Sequence, residues 1–169
     1  MNARIALMPR GRWLMVGASL WLALTHSTAM TGASGEARWL PPLELPGFVI
    51  LETFRAPPHE YGPGHRGIDI AAPTGAVVRA PAGGTVSFAG SVVDRPVISV
   101  RVDDQTVYSM EPVSSDVRQG DTVGIGSPIG TVGEGGHCGA RCVHLGVRID
   151  GSYVHPMRYF VSRPVLLPW

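Results

Sequence analysis

From Phe48 onward the chain is cut into short runs by turn formers, and no run is long enough for a helix of three turns. The cuts fall at Pro57-Pro58, Gly62-Pro63-Gly64, Pro73-Thr74-Gly75 and Gly83-Gly84, and Asp103-Asp104 separates PVISVRV from QTVYSM. Glycine admits backbone angles closed to other residues and proline removes a backbone donor, so such clusters end elements. Between them the runs are β-branched. In PVISVRV the alternation sets Ile98, Val100 and Val102 on one face and Ser99 and Arg101 on the other, the pattern of a half-buried antiparallel strand. The reading is an all-β domain of short antiparallel strands, a sandwich or an open barrel, which suits a chain with 22 glycines and 15 prolines.

The 169 residues allow one domain with a real core. A net charge of +1 supplies no field for nucleic acid or anionic lipid. All 14 basic residues are arginine. That matters for VRQGDTVGIGSPIGT (residues 117–131), which is similar to the hammerhead of biotinyl and lipoyl carrier domains. Such carriers load a lysine amine, so the stretch is read as a structural β-turn-β unit.

Residues 1–29 have the three parts of a secretory signal peptide: Arg4, Arg10 and Arg12, an apolar run from Trp13 to Leu24, and the small residues Ser27-Thr28-Ala29. The run falls short of the roughly 20 residues a membrane-spanning helix needs, so no permanent span is expected. Residues 30–47 read as a leader arm, 48–163 as the β domain and 164–169 as a C-terminal tail. Export to a secreted or cell-envelope location puts Cys138 and Cys142 where thiols pair, and a disulfide is expected.

Among the histidines after the signal segment, His65 is the informative one. HRGID places Asp69 four residues later, and on a strand the two share a face, as half of a zinc site would. The surroundings, GHRGIDIAAPTGAVVRAPAGGTVSFAG, resemble the entry strand of the lysostaphin-type or LytM-type zinc endopeptidases, which cut peptide cross-links in bacterial cell walls. The resemblance continues through TVYSMEPV, VRQGDTVGIGSPIGTVG and VHLGVRIDGSYVHPMRYF, covering about residues 48–162. It implies the duplicated-hybrid-motif β fold, with a groove across the sheet.

Carried over position by position, the resemblance makes His65 and Asp69 metal ligands and His144 the histidine acting on the attacking water. The third ligand of the family falls on Gly146, and its transition-state histidine falls on Met110. A lost outer partner costs about 10 to 100-fold in metal affinity or activity, and a lost ligand at least as much. A lost transition-state donor costs on the order of 100 to 1,000-fold in kcat. The resulting expectation is weak or absent zinc and impaired catalysis, in an exported module that engages a peptidoglycan peptide or a cell-wall hydrolase. The alternative is a zinc endopeptidase with a rearranged shell, in which His137 of the GGHCGARC loop reaches inward. If His144 instead becomes the third ligand, the water lacks its base, since Glu111, the only acidic neighbour, faces away from Met110 on a regular strand. An envelope domain without a ligand is the third reading.

Overall fold

The structure is a computed structural model and describes residues 38–44 and 48–160. The expected signal segment, the first part of the arm and the tail lie outside the described residues. Eleven strands make up the described fold: β1 (Ile50–Glu52), β2 (Gly67–Ala71), β3 (Val77–Arg79), β4 (Gly84–Val92), β5 (Arg95–Arg101), β6 (Thr106–Glu111), β7 (Val113–Ser115), β8 (Thr122–Val123), β9 (Pro128–Val132), β10 (Cys142–Ile149) and β11 (Ser152–Val154). A single 3-10 turn, Pro156–Tyr159, is the only helical element among them. The all-β expectation holds.

The strands form two antiparallel sheets. The larger runs β1-β2-β10-β6-β5-β4-β8, with β11 on the end of β10; the smaller runs β3-β9-β7. Leu145 pairs with Ile68 on one side and Met110 on the other, and Met110 pairs with Ile98. Directly paired residues share a face of the sheet, so these four make one apolar row. Val143, Val147, Tyr108 and Val100 extend that face, and all join Val78, Val113 and Ile129 of the smaller sheet in one core.

Residues alternate along each strand, so the rows between face the other way. Asp69, His144 and Glu111 form one such row across β2, β10 and β6, and Gly67, Gly146, Ser109 and Ser99 form the next. The second row carries almost no bulk. It makes a shallow trough across the open face, in which the His144 and Tyr153 rings cover the two glycines and the two serine hydroxyls bond at 2.7 Å.

Two expectations need correction. Val117–Thr131 is not one β-turn-β unit, because β8 pairs with β4 in the large sheet and β9 with β3 and β7 in the small one. Part of the expected leader arm belongs to the core. Trp39 stacks on Tyr159 at 4.2 Å and meets Tyr108 edge-on at 5.4 Å, and Leu43 bridges to Val78. Polar composition and broken periodicity hid this, because two well-placed apolar side chains anchor a segment without any repeat. Trp39→Ala should lower unfolding free energy by about 3–5 kcal/mol, the usual cost of emptying so large a buried site, read by urea denaturation.

Candidate metal centre

The polar row brings titratable groups together from three places in the sequence. His65 precedes β2, pinned by reciprocal backbone bonds with Arg55, and its Nδ1–H donates to the Thr53 carbonyl at 2.9 Å. That bond fixes the ring and leaves the Nε2 lone pair directed at Asp69 Oδ1, 3.1 Å away. Asp69 and His144 are paired residues of β2 and β10, and His144 Nδ1 lies 2.8 Å from the same oxygen. His65 Nε2 and His144 Nδ1 are 3.1 Å apart.

His137 arrives from the loop before β10. Gly135 and Gly136 hold left-handed angles, and a Cβ on either would strike Asp94 or Arg95. The loop therefore seats directly on the start of β5, where Arg95 is ion-paired to Glu111 at 3.0 Å. The Cys138–Cys142 disulfide, expected from the sequence, ties the residue after His137 to the start of β10. His137 Nε2 comes to lie 3.0 and 3.1 Å from the two carboxylate oxygens of Asp69. The sequence points to His137, but to neither the glycine pair nor Arg95 as the groups that bring it there.

The four residues differ in exposure. Asp69 is 4 % exposed and His65 8 %. The His144 side chain is 13 % exposed and that of His137 48 %. Burial alone would raise the Asp69 carboxyl, but hydrogen bonds from His144 and His137, together with their charge, outweigh it and hold the group at about 2.

Three ring nitrogens within 2.8–3.1 Å of Asp69 Oδ1 are more than two lone pairs can serve. His65 Nε2, whose ring already donates from Nδ1, offers a lone pair and not a hydrogen. A cation reconciles such a set. Ligands at the 2.0–2.2 Å of zinc in a tetrahedron stand about 3.3 Å apart, close to the spacings here. All the donor atoms lie within 4.8 Å of one another, so this group could hold a metal ion.

Met110 and Gly146 fall in different places. Met110 is wholly buried in the core, on the face opposite Asp69 and His144, and Glu111 is the β6 residue beside His144. Gly146 shares the face of His144, as alternation requires. A Cβ there would stand 3.7 Å from His144 Nε2, on the side of the ring away from the Nδ1 that meets Asp69. Gly67 is the tighter constraint: a Cβ on it would lie 2.6 Å from His144 Nε2 and 2.2 Å from the Leu145 carbonyl oxygen. The imidazole of His144 packs where that side chain would be.

The family model for peptidase family M23 matches residues 63–156, which is more than half of the chain. The chain belongs to peptidase family M23. The chain is 36% identical over 132 residues to an uncharacterized protein of Mycobacterium tuberculosis, covering 75% of this chain and 53% of the relative. It is 32% identical over 117 residues to the murein hydrolase activator NlpD of Escherichia coli, covering 68% of this chain and 30% of that protein. The chain thus spans about half the length of that mycobacterial relative and less of NlpD.

Among solved structures, the catalytic domain of the prophage-encoded M23 protein EnpA from Enterococcus faecalis, in a point-mutant form, superposes with a TM-score of 0.58. It is 30% identical, with 68% of this chain and 93% of that domain covered. The catalytic domain of lysostaphin from Staphylococcus simulans shares the fold at 23% identity, with a TM-score of 0.58 and coverage of 67% and 92%. The LytM-type resemblance read from the motifs is therefore borne out as family and fold.

Two predictions come from this geometry. Asp69 has a depressed carboxyl, so its contribution to the metal-free fold is present above the ordinary value of 3.8 and is lost as pH falls through about 2. Denaturant titrations of wild type and Asp69→Asn should differ near pH 5, and the gap should close toward pH 2. Met110→His places an imidazole in a dry core, so it should destabilise the fold by about 2 kcal/mol or more, with no gain in zinc affinity by competitive chelation.

Proposed function

We propose that this M23 domain is an exported zinc endopeptidase acting on peptide cross-links of peptidoglycan, with His65, Asp69 and His144 as the metal ligands. The observation that carries the reading is the convergence of His65 Nε2, His144 Nδ1 and the Asp69 carboxylate on one point, with His137 at its solvent side. In this assignment His144 is a ligand, no donor is needed at Gly146, and the impaired-site expectation from the sequence is set aside. Three protein ligands also leave the open position that a catalytic zinc keeps.

Zinc bound there would supply Lewis-acid polarisation of the peptide carbonyl and acidification of a water. The chain's own residues do the rest. Thr53 holds the His65 tautomer, and Gly67 gives the His144 ring room to present Nδ1. With Asp69 engaged by zinc, His137 Nε2 would be released from its bond to that carboxylate, and this half-exposed loop histidine is then the group able to take the proton from the attacking water and pass it to the leaving amine. Glu111 is engaged with Arg95 and so supports the loop. Export is supported by the N-terminal pattern and by the disulfide, a bond of oxidising compartments. Among the described residues no helix is long and apolar enough to cross a membrane.

A second reading is favoured by the 32% identity to NlpD: a domain that activates a murein hydrolase and cuts nothing itself. Zinc content and hydrolysis separate the two. The first reading expects near-stoichiometric zinc by mass spectrometry and release of peptide fragments from purified peptidoglycan. His137→Ala should then keep the zinc and lose about 100 to 10,000-fold in kcat, the range for removal of a general acid-base group. Zinc-free protein with no release of fragments, together with stimulation of a separate hydrolase, would establish the activator instead.

A further inference from the structure

The polar face does not end at the trough. Two residues beyond Gly146 on β10, Arg148 pairs with Tyr153 of β11 and Val107 of β6, so it heads a third row on the same face as His144 and Gly146. Its guanidinium lies over the Tyr153 ring at 5.7 Å. Arg66, which precedes β2, approaches the same ring at 5.9 Å. Tyr153 thus organises two cations at one end of the trough, and its ring edge would lie 3.6 Å from a Cβ on Gly146.

These three residues border an open cavity of about 740 Å³, lined also by Glu60, Tyr61 and Asp150. Arg66 donates from Nη2 to the carbonyls of Glu60 and Gly62, which fixes it in place without neutralising it. Asp150 accepts from the Gln105 side chain. Among the described residues neither guanidinium is ion-paired to a carboxylate.

We propose that this cavity is a substrate subsite that takes a free carboxylate of the peptide, held by the guanidinium groups of Arg148 and Arg66 that lie over Tyr153, several residues from the scissile bond. The proposal rests on the peptidoglycan reading above and adds where that substrate is recognised. Arginine presents a planar fork that matches a carboxylate, and stacking on an aromatic ring holds the fork in orientation. Positions 144 and 148 are four strand residues apart, about 13 Å, which an extended peptide covers in about four residues. The path between them runs over the rings of His144 and Tyr153, which cover Gly67 and Gly146.

The local charge argues for a single carboxylate and against a polyanion. Glu60 and Asp150 balance the two arginines, so the cavity has no net field to gather phosphates or nucleic acid, and selectivity comes from the paired fork. Arg148 is thereby a specificity residue of this chain, separate from the metal cluster.

The test uses calorimetric titration of the purified protein with an N-acetylated stem tetrapeptide bearing a C-terminal carboxylate, and with its carboxamide twin. The carboxylate form should bind about tenfold more tightly. Arg148→Gln should bring it down to the carboxamide's affinity while leaving zinc content and melting temperature unchanged. Arg148→Lys, which keeps charge but not the fork, should recover less than half of the difference in binding free energy. Equal binding of acid and amide, or wild-type affinity in Arg148→Gln, would overturn the subsite while leaving the metal centre standing. Displacement of the peptide by an equal concentration of inorganic phosphate would also overturn it, because it would mark a general anion site. Failure of both peptides to bind would count against the peptidoglycan reading itself.

Discussion

The register between β2 and β10 is the constraint on which the rest depends. Pairing His144 with Asp69, and Leu145 with Ile68, decides at once which residues enter the core and which meet over the open face. A slip of one residue would exchange the two sets, driving Asp69 and His144 into the apolar layer and turning Ile68 and Leu145 to water. Core burial and site assembly are therefore one condition. The hydrophobic row holds the register, and the polar row inherits its geometry.

That condition also explains why the cluster tolerates so much desolvated charge. Asp69 is nearly enclosed, yet its carboxylate faces three imidazoles contributed by the strand entry, by β10 and by the loop before it. Each imidazole is set by a separate device: Thr53 for His65, the absent side chain at Gly67 for His144, and the seating of Gly135 and Gly136 on Arg95 for His137. Each device lies outside the cluster itself and fixes where one ring nitrogen stands.

The small residues of the open face act together. Gly67, Gly146, Ser109 and Ser99 lie side by side across four strands, so what looks along the chain like unrelated gaps is a continuous row of small residues in the sheet. It lies between the cluster and Arg148, Tyr153 and Arg66, three residues that no motif singles out. Gly146 in particular reads along the chain as a ligand replaced. In the sheet it is a floor position on the Nε2 side of His144, while the donors gather on the Nδ1 side.

The sequence by itself determined the strand character of the chain, the M23 membership and the pairing of Cys138 with Cys142, because turn chemistry, two-residue alternation and motif spacing are local properties. It also named His65, Asp69, His137 and His144. What only the tertiary structure decided is which atoms of these residues meet. Motif alignment fixes the order of residues along the strand, whereas the face on which Met110 lies and the side of the imidazole that Gly146 borders depend on pairing with other strands. The same holds for Trp39 and Leu43, whose segment has no period to read and is held by contacts with β3, β6 and the C-terminal 3-10 turn.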